Sequence, residues 1–157
     1  EVSDLPWQAV LIGDGALRSE IESEITAHGL AARFTLPGWL KPEAVIEWFR
    51  KSDILFMPSL SEGLPVVGVQ ALAMGLAMVL SDAGGNPELV VPGRNGYLVP
   101  QGKNTDYAGG LRDLLSNPQA LQAARLFRRQ HDGNFDLNAV VKSYLDVLQQ
   151  AGAGREK

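Results

Sequence analysis

The chain has 157 residues, of which 45% are hydrophobic and 20% are charged, and its formal net charge is −4. This length corresponds to one globular domain whose hydrophobic core needs no covalent staples. The absence of cysteine excludes disulfides, thiol nucleophiles and cysteine-ligated metal sites, and the acidic balance argues against a nucleic-acid-binding module. No apolar run approaches the roughly 20 residues of a membrane span, so we expect no transmembrane segment in this sequence.

The first half of the chain alternates short apolar runs with helical patterns. Strands are predicted for three apolar runs, at 8–13, 33–38 and 54–57. Helices are predicted between them, at 16–29 and 42–52. In the first helix, Leu17, Ile21 and Ile25 recur every fourth residue. In the second, Pro42 suits the first turn.

The second half continues this alternation and then becomes helical. Helices are predicted at 66–74, 105–115, 118–129 and 137–150, and a buried strand at 77–81. Gly75 is expected to close the first of these helices. Asn95-Gly96 signals a tight turn within 92–99 that leads into a short strand. The tail, 151–157, is expected to be frayed.

The alternation predicts an α/β fold, a Rossmann-like doubly wound parallel sheet with right-handed crossovers and helices on both faces. In such sheets the ligand binds outside the carboxyl ends of the strands. Glycine-bearing loops leave four predicted carboxyl ends, at 13–15, 38–39, 62–63 and 84–85. Their convergence predicts a binding site at that edge of the sheet.

Common catalytic and nucleotide-binding motifs are incomplete in this sequence. Gly13-Asp14-Gly15 begins like a dinucleotide fingerprint, but Arg18 stands where the third glycine is needed. Neither a phosphate-binding P-loop nor a G-x-S-x-G nucleophile elbow is present. His28 and His131 are far apart and lie near predicted helix ends, which favours surface or capping roles over a metal site.

The stretch 58–75, PSLSEGLPVVGVQALAMG, combines polar and apolar residues in an unusual way. Pro65 suits the first turn of the predicted helix, where free backbone N–H groups and the helix dipole attract anions. Gly63 removes a side chain that would keep a phosphate away. Glu62 has two open interpretations, a ligand contact or an acid that stabilises the helix dipole by about 0.3–1 kcal/mol.

Gln70 interrupts the apolar helix that follows. A cleft-facing amide with a ligand or water partner and a satisfied core amide both explain it, since a buried amide needs hydrogen-bond partners. Eight residues of helix span about 12 Å, so Glu62 and Gln70 can bracket a ligand about as long as a nucleoside diphosphate.

Several motifs occur in the order and spacing of a known family. They are Pro58-Ser59, Glu62-Gly63, position 70, the A-x-A-x-G of 71–75, Gly84-Gly85 with Glu88, and the G-Y-L-V of 96–99. VLIGDG and FTLPGWL precede them and FDLNAVVKSYLDVL follows, in the family's order. Over nearly its whole length the sequence resembles the C-terminal nucleotide-sugar-binding domain of retaining GT-B glycosyltransferases, family 4, also described as glycosyl transferases group 1.

The resemblance implies that 1–150 form the donor-binding domain, a C-terminal GT-B lobe whose N-terminal part is truncated. It implies that Glu62 is catalytic beside the donor sugar, that position 70 binds the ribose, and that the base lies against Trp39 and Leu40. The implied donor-binding residues are Gly13, Gly38, Trp39, Leu40, Glu62, Gly63, Leu64, Pro65, Val66, Val67 and Gln70. The resemblance also implies that no metal or cofactor is needed, and this agrees with the chemistry, since preorganised N–H groups can stabilise the charge of the leaving diphosphate.

The sequence departs from the family pattern in two ways. Gln70 stands where the family has Glu, and loss of a charged hydrogen bond would lower donor affinity roughly tenfold. A basic pair that precedes the first strand in the family, and the whole N-terminal acceptor-binding lobe, are missing. We therefore expect a fragment, inactive alone, of a two-lobe enzyme of the hexosyltransferase type that transfers a sugar from a nucleoside-diphosphate sugar with retention of configuration.

The resemblance also suggests partners and leaves alternatives open. A glycan or a lipid-linked glycan is the expected acceptor, and a cytoplasmic location is expected, with membrane association through the missing lobe left open. One alternative is a non-catalytic nucleotide-binding or assembly module of the same fold, which Gln70 favours. The other is a GT-B enzyme similar to nucleotide-sugar 2-epimerases.

Overall fold

The computed structural model describes residues 1–131 and 135–153, which form a layered α/β fold. The strands are β1 (Ala9–Ile12), β2 (Phe34–Gly38), β3 (Ile54–Met57), β4 (Ala77–Ser81) and β5 (Gly96–Val99). The helices are α1 (Arg18–Ala27), α2 (Pro42–Lys51), α3 (Val66–Met74), α4 (Asn104–Ser116), α5 (Pro118–His131) and α6 (Leu137–Ala153). Short 3₁₀ helices span Ala31–Arg33 and Asn86–Glu88.

The bounds of α3 are confirmed, and local sequence signals explain both ends. Pro65 precedes the helix in an extended conformation, with φ −73° and ψ 121°. Gly75 ends it in the left-handed conformation, with φ 78°. The N–H groups of Gly75 and Leu76 donate to the last carbonyl groups of the helix, on Leu72 and Ala71.

Other predicted elements differ only at their ends. α1 begins at Arg18, two residues later than predicted, and the N–H of Arg18 donates to the carbonyl oxygen of Gly15. The loop that carries the glycine pair at 84–85 continues into one of the 3₁₀ helices, Asn86–Glu88. α6 continues to Ala153, so the helix ends later than predicted, and residues 154–157 lie outside the described part of the chain.

All strand pairs are parallel, but the strands form two sheets rather than the single predicted sheet. β1 pairs with β2, and β4 lies between β3 and β5. β1 and β3 of this chain are the equivalents of the second and fourth strands in the doubly wound order 3-2-1-4-5-6. In that order, the first strand lies between them. No described residue fills that position, so the described strands divide into a two-stranded and a three-stranded sheet. The predicted Rossmann-like α/β architecture with parallel strands is confirmed.

The strands that border this position, β1 and β3, are less buried than β4 and β5. Leu11 on β1 is 42% exposed and Phe56 on β3 is 47% exposed, although both belong to continuous apolar runs. α1 has no buried residue. The ring of Phe56 contacts Tyr107 of α4 edge to face, with centroids 5.7 Å apart. The well-packed core therefore lies around the three-stranded sheet.

β4 is the centre of that core, and each of its residues is at most 1% exposed. Successive residues of a strand point to opposite faces. Met78 and Leu80 pack in one apolar cluster with residues of α2 and α3. Ala77 and Val79 pack in a second cluster with residues of β5 and α4. The prediction of helices on both faces is therefore confirmed for this sheet.

The turn before β5 depends on the buried side chain of Asn95. Its Oδ1 accepts a hydrogen bond from the N–H of Val91 at 2.7 Å, and its Nδ2 donates to the carbonyl oxygen of Leu89 at 2.8 Å. Asn95 lies in the turn as predicted, but Gly96 already belongs to β5. A Cβ at Gly96 would lie 1.9 Å from the carbonyl oxygen of Met78, so this close strand pairing requires glycine.

An exposed ion pair joins the N-terminal segment to α4. Arg112 binds both carboxylate oxygens of Asp4, at 2.9 and 2.7 Å. These hydrogen bonds from Arg112 lower the pKa of Asp4 from its ordinary 3.8 to about 2. The pair thus links the segment before β1 to the helix that covers β4 and β5.

Candidate functional site

The loop that carries Glu62 follows β3 and packs against the loop that follows β4. The N–H of Gly85 donates to the carbonyl oxygen of Gly63 at 2.7 Å. A Cβ at Gly84 would lie only 1.8 Å from the carbonyl oxygen of Glu62. Gly84 also has a φ of +53°, which L side chains rarely adopt. Glycine is therefore required at position 84, and its backbone limits where Glu62 can lie.

The loop after β5 provides a further contact. Nε2 of Gln101 donates to the carbonyl oxygen of Leu60 at 2.7 Å. Because β3, β4 and β5 are parallel neighbours, their carboxyl ends share one edge. The Glu62 loop is thus held by the two loops that follow β4 and β5.

The beginning of α3 presents free hydrogen-bond donors. The first N–H groups of a helix have no intrahelical acceptor. In the described part of the chain, no acceptor binds the backbone N–H groups of Gly63, Leu64, Val66 and Val67. The side chain of Val66 is 71% exposed and that of Leu64 is 45% exposed, whereas Pro65 is buried. These donors, together with the positive helix end, can bind an anion such as phosphate.

The two polar side chains predicted at this site are both accessible. Glu62 and Gln70 are half-buried, and neither side chain has a hydrogen-bond or ion-pair partner among the described residues. The unpaired side-chain amide of Gln70 is not fully buried, because the only buried side-chain atom without a partner in the described chain is Oδ1 of Asn86. Gln70 is therefore not a satisfied core amide, and its amide is available to a ligand or to water.

The loops after β1 and β2 form a second group of predicted site residues. The N–H of Gly13 donates to the carbonyl oxygen of Gly38 at 3.0 Å. Gly38 is buried and has a φ of +75°. Trp39 follows with 79% of its surface exposed, and Leu40 is half-buried. This arrangement turns the indole ring away from the core.

The predicted residues therefore form two groups. Gly13, Gly38, Trp39 and Leu40 lie at the carboxyl ends of β1 and β2, and the residues from Glu62 to Gln70 lie after β3. No hydrogen bond or ion pair among the described residues joins one group to the other. Both groups nevertheless follow carboxyl ends of parallel strands, which is the edge where doubly wound sheets bind ligands.

Sequence reasoning missed two contacts that shape this site. Gly84-Gly85 was assigned to a loop at the ligand edge, but not to a backbone contact with Glu62 and Gly63. A glycine pair in the loop after a fully buried strand was an available signal for close backbone approach. Gln101 gave no such signal, because its contact with Leu60 joins residues 41 positions apart.

Residues 1–131 and 135–153 hold neither a metal-binding cluster nor a membrane-spanning helix. These residues contain no group of three or more His, Asp or Glu side chains that could hold a metal ion. None of the helices in these ranges is long and apolar enough to cross a membrane.

The fold and this edge define a Rossmann-like α/β domain with an anion-accepting helix end beside glycine-rich loops. The family model described as "Glycosyl transferases group 1" matches residues 2–130. The chain therefore belongs to the glycosyl transferases group 1 family. Its architecture matches the C-terminal domains of GT-B glycosyltransferases.

Individual relatives agree with this assignment. The chain is 29% identical over 140 residues to D-inositol 3-phosphate glycosyltransferase of Rhodococcus jostii (strain RHA1), covering 88% of this chain and 31% of that protein. The C-terminal domain of a glycosyl transferase group 1 family protein (LpcC) of Francisella tularensis is 28% identical, with TM-score 0.68 and coverage of 76% and 64%. Anabaena Alr3699/HepE in complex with UDP and glucose has TM-score 0.77 and 24% identity, with coverage of 95% and 42%. The chain thus spans about a third of the length of the Rhodococcus relative.

Replacing Gly84 by alanine should disturb the Glu62 loop, because the new Cβ would collide with the carbonyl oxygen of Glu62. Gly93→Ala is a matched control, since Gly93 also has a positive φ of +74° but nothing within 4 Å of the added Cβ. We expect Gly84→Ala to lower the free energy of unfolding by about 1–3 kcal/mol more than Gly93→Ala, measured by urea denaturation. Equal losses in the two variants would contradict the close contact.

Proposed function

We propose that this chain is the C-terminal donor-binding lobe of a retaining family 4 glycosyltransferase. The full-length protein then transfers a sugar, of the hexosyl type, from a nucleoside-diphosphate sugar to an acceptor. The observation that carries this proposal is the set of four unpaired N–H groups at Gly63, Leu64, Val66 and Val67, beside the accessible Glu62, in a chain of this family.

The diphosphate is assigned to the beginning of α3. Its negative charge complements the positive helix end, and its oxygens can accept hydrogen bonds from the free N–H groups. As the bond to the sugar breaks, charge grows on the leaving diphosphate. Donors that are already oriented by the fold stabilise this charge without reorganisation, so no metal ion is needed in this proposal. Support also comes from HepE, whose structure contains UDP and glucose.

The sugar is assigned to Glu62. Its carboxylate has no partner among the described residues, so it is free to accept hydrogen bonds from sugar hydroxyl groups. Hydrogen bonds to a charged group contribute about 1.5–3 kcal/mol, so Glu62 can bind the sugar more strongly than a neutral side chain could. Gly84 limits the position of the Glu62 backbone, so the loop that carries the carboxylate is held by backbone contacts.

The ribose and the base are assigned to Gln70 and to the loop after β2. The accessible amide of Gln70 can both donate to and accept from ribose hydroxyl groups. The base lies against Trp39 and Leu40, with Gly13 and Gly38 shaping the backbone beneath them. The exposed indole offers an apolar surface for a planar base.

The rest of the enzyme is assigned to sequence outside this chain. An N-terminal lobe binds the acceptor, which is a glycan or lipid-linked glycan, and the isolated lobe transfers nothing. The full-length protein acts in the cytoplasm. The coverage of 31% of the Rhodococcus relative is consistent with such a second lobe.

A non-catalytic nucleotide-binding module is the second candidate. Gln70 favours it, because a neutral amide replaces the charged group that the family pattern has at this position. In that case the fold would still bind a nucleotide through the N–H groups of α3 and would serve assembly or regulation.

Replacing Glu62 by alanine should selectively weaken binding of the sugar. We expect the affinity of the full-length protein for its nucleoside-diphosphate sugar to fall roughly 10- to 100-fold, because a charged hydrogen bond is lost. Affinity for the nucleoside diphosphate alone should change little. Isothermal titration with UDP, GDP and ADP and their sugar conjugates measures both quantities.

Glu43→Ala is the matched control for this experiment. Glu43 is an exposed acid in the first turn of α2, so its removal tests the effect of an acid near a helix N-terminus. If Glu62→Ala and Glu43→Ala change the affinity for the nucleoside-diphosphate sugar equally, Glu62 only stabilises a helix dipole. If no nucleotide binds the unmodified full-length protein at millimolar concentration, the proposed function is wrong.

Replacing Gln70 by glutamate separates the two candidate functions. A carboxylate restores charged hydrogen bonds to the ribose, so donor affinity should rise roughly tenfold if the protein is a glycosyltransferase. Transfer by the full-length protein is measured as release of nucleoside diphosphate. Transfer that increases in the variant supports the enzyme, whereas nucleotide binding without transfer in either form supports the non-catalytic module.

A further inference from the structure

β2 contains an irregularity just before the loop that carries Trp39. The register of the β1–β2 ladder shifts between Val10 and Ile12, so that two steps along β1 match three steps along β2. The extra residue falls at Leu36-Pro37, where proline has no N–H for the ladder. Such a bulge bends its strand and re-aims the residues that follow it, which include Trp39.

Arg18 holds this bulge from the first turn of α1. Its Nη2 donates to the carbonyl oxygen of Leu36 at 3.0 Å. Its Nη1 lies 3.3 Å from Oδ2 of Asp14, and its Nε donates to Oε1 of Glu22 at 2.8 Å. All three guanidinium nitrogens are therefore engaged, and they join α1, the loop after β1 and the bulge in β2. Lysine cannot reproduce this planar, multiply bonded arrangement.

The position of Trp39 depends on the backbone beneath it. The side chain is 79% exposed, and its ring makes no aromatic, cation–π or hydrogen-bond contact with other described residues. Its neighbour Gly38 has a φ of +75°, and its carbonyl oxygen accepts from the N–H of Gly13. The position and direction in which the Trp39 side chain leaves the backbone are therefore set by the bulge and by the contacts that hold it.

We propose that Arg18 is a positioning residue for nucleobase recognition, because it fixes the β2 bulge through Leu36 and thereby aims Trp39 and Leu40 at the base. This inference rests on the proposed function, in which the base lies against these two residues. The proposal predicts different effects on the base and on the diphosphate of the same nucleotide. Loss of Arg18 weakens contacts to the base, while the diphosphate contacts at the beginning of α3 stay intact.

The test compares Arg18→Gln with Arg33→Gln in the full-length protein. Arg33 is the matched control because its guanidinium group also donates to the backbone, to the carbonyl oxygens of Leu5 and Ser3, at 2.7 and 2.9 Å. It lies at the opposite, amino end of β2. Both variants lose guanidinium hydrogen bonds to backbone carbonyl groups, but only Arg18 borders the proposed base site.

The measured quantities are the affinities for UDP, GDP, ADP and inorganic pyrophosphate. We expect Arg18→Gln to lower affinity for the preferred nucleotide roughly tenfold, to reduce the preference among bases, and to leave pyrophosphate affinity unchanged. Arg33→Gln should leave all four affinities unchanged in the folded protein. A ¹⁹F resonance from 5-fluorotryptophan at position 39, identified with Trp39→Phe, should move in Arg18→Gln before any ligand is added and stay in place in Arg33→Gln.

The possible outcomes separate this inference from the proposed function. If the unmodified protein binds none of the nucleotides, the proposed function and this inference both fail. If it binds a nucleotide but Arg18→Gln keeps its affinity and base preference, or loses nucleotide and pyrophosphate binding equally, only this inference fails. Should Arg18→Gln not fold, Arg18→Lys decides in the same way, because it keeps the positive charge without the planar contacts.

Discussion

The close approach of two backbone segments at Gly84 is the constraint on which the site depends. The loop after β4 lies so near the Glu62 loop that no side chain fits between them, and Gly85 adds a hydrogen bond to Gly63. This contact is possible because β4 is buried on both faces and is held between two apolar clusters. A rigid, fully packed strand thus fixes a loop that has few contacts of its own. In consequence, the backbone of the Glu62 loop and the N–H groups at the beginning of α3 are positioned before any ligand binds.

The two groups of site residues are supported by different physical means. Around Glu62, the support is backbone packing against the core of the three-stranded sheet, with Gln101 as an additional side-chain contact. Around Trp39, the core is thinner, because α1 has no buried residue and β1 is partly exposed. There the guanidinium group of Arg18 connects the elements through hydrogen bonds and ion pairs. Backbone donors suit a diphosphate, whose charge is the same in every nucleotide, whereas an exposed ring on a braced loop suits the part of the ligand that varies.

Local signals in the sequence predicted the elements well, and long-range contacts account for what they left out. Pro65 and Gly75 were sufficient to place both ends of α3, and the apolar run 77–81 predicted a buried strand, which is β4. The division into two sheets was not predictable in this way, because strand pairing depends on which strands are neighbours and not on their own composition. The same holds for the bulge in β2, because Arg18 and Leu36 are 18 positions apart. In the sequence, Arg18 is notable only because it stands where a dinucleotide fingerprint needs its third glycine. The roles of the predicted site residues stay predictions, and their placement at the carboxyl ends of parallel strands is what supports them.

The central claim is that the backbone N–H groups at the beginning of α3 bind the diphosphate of a nucleotide donor. The most direct test is the ¹⁵N chemical shifts of Gly63, Leu64, Val66 and Val67, followed while a nucleoside diphosphate or the corresponding nucleoside is added to the full-length protein. The account predicts large shifts of these four amides with the nucleoside diphosphate and little change with the nucleoside. Shifts that are absent at these amides, or equal for the two ligands, would contradict it.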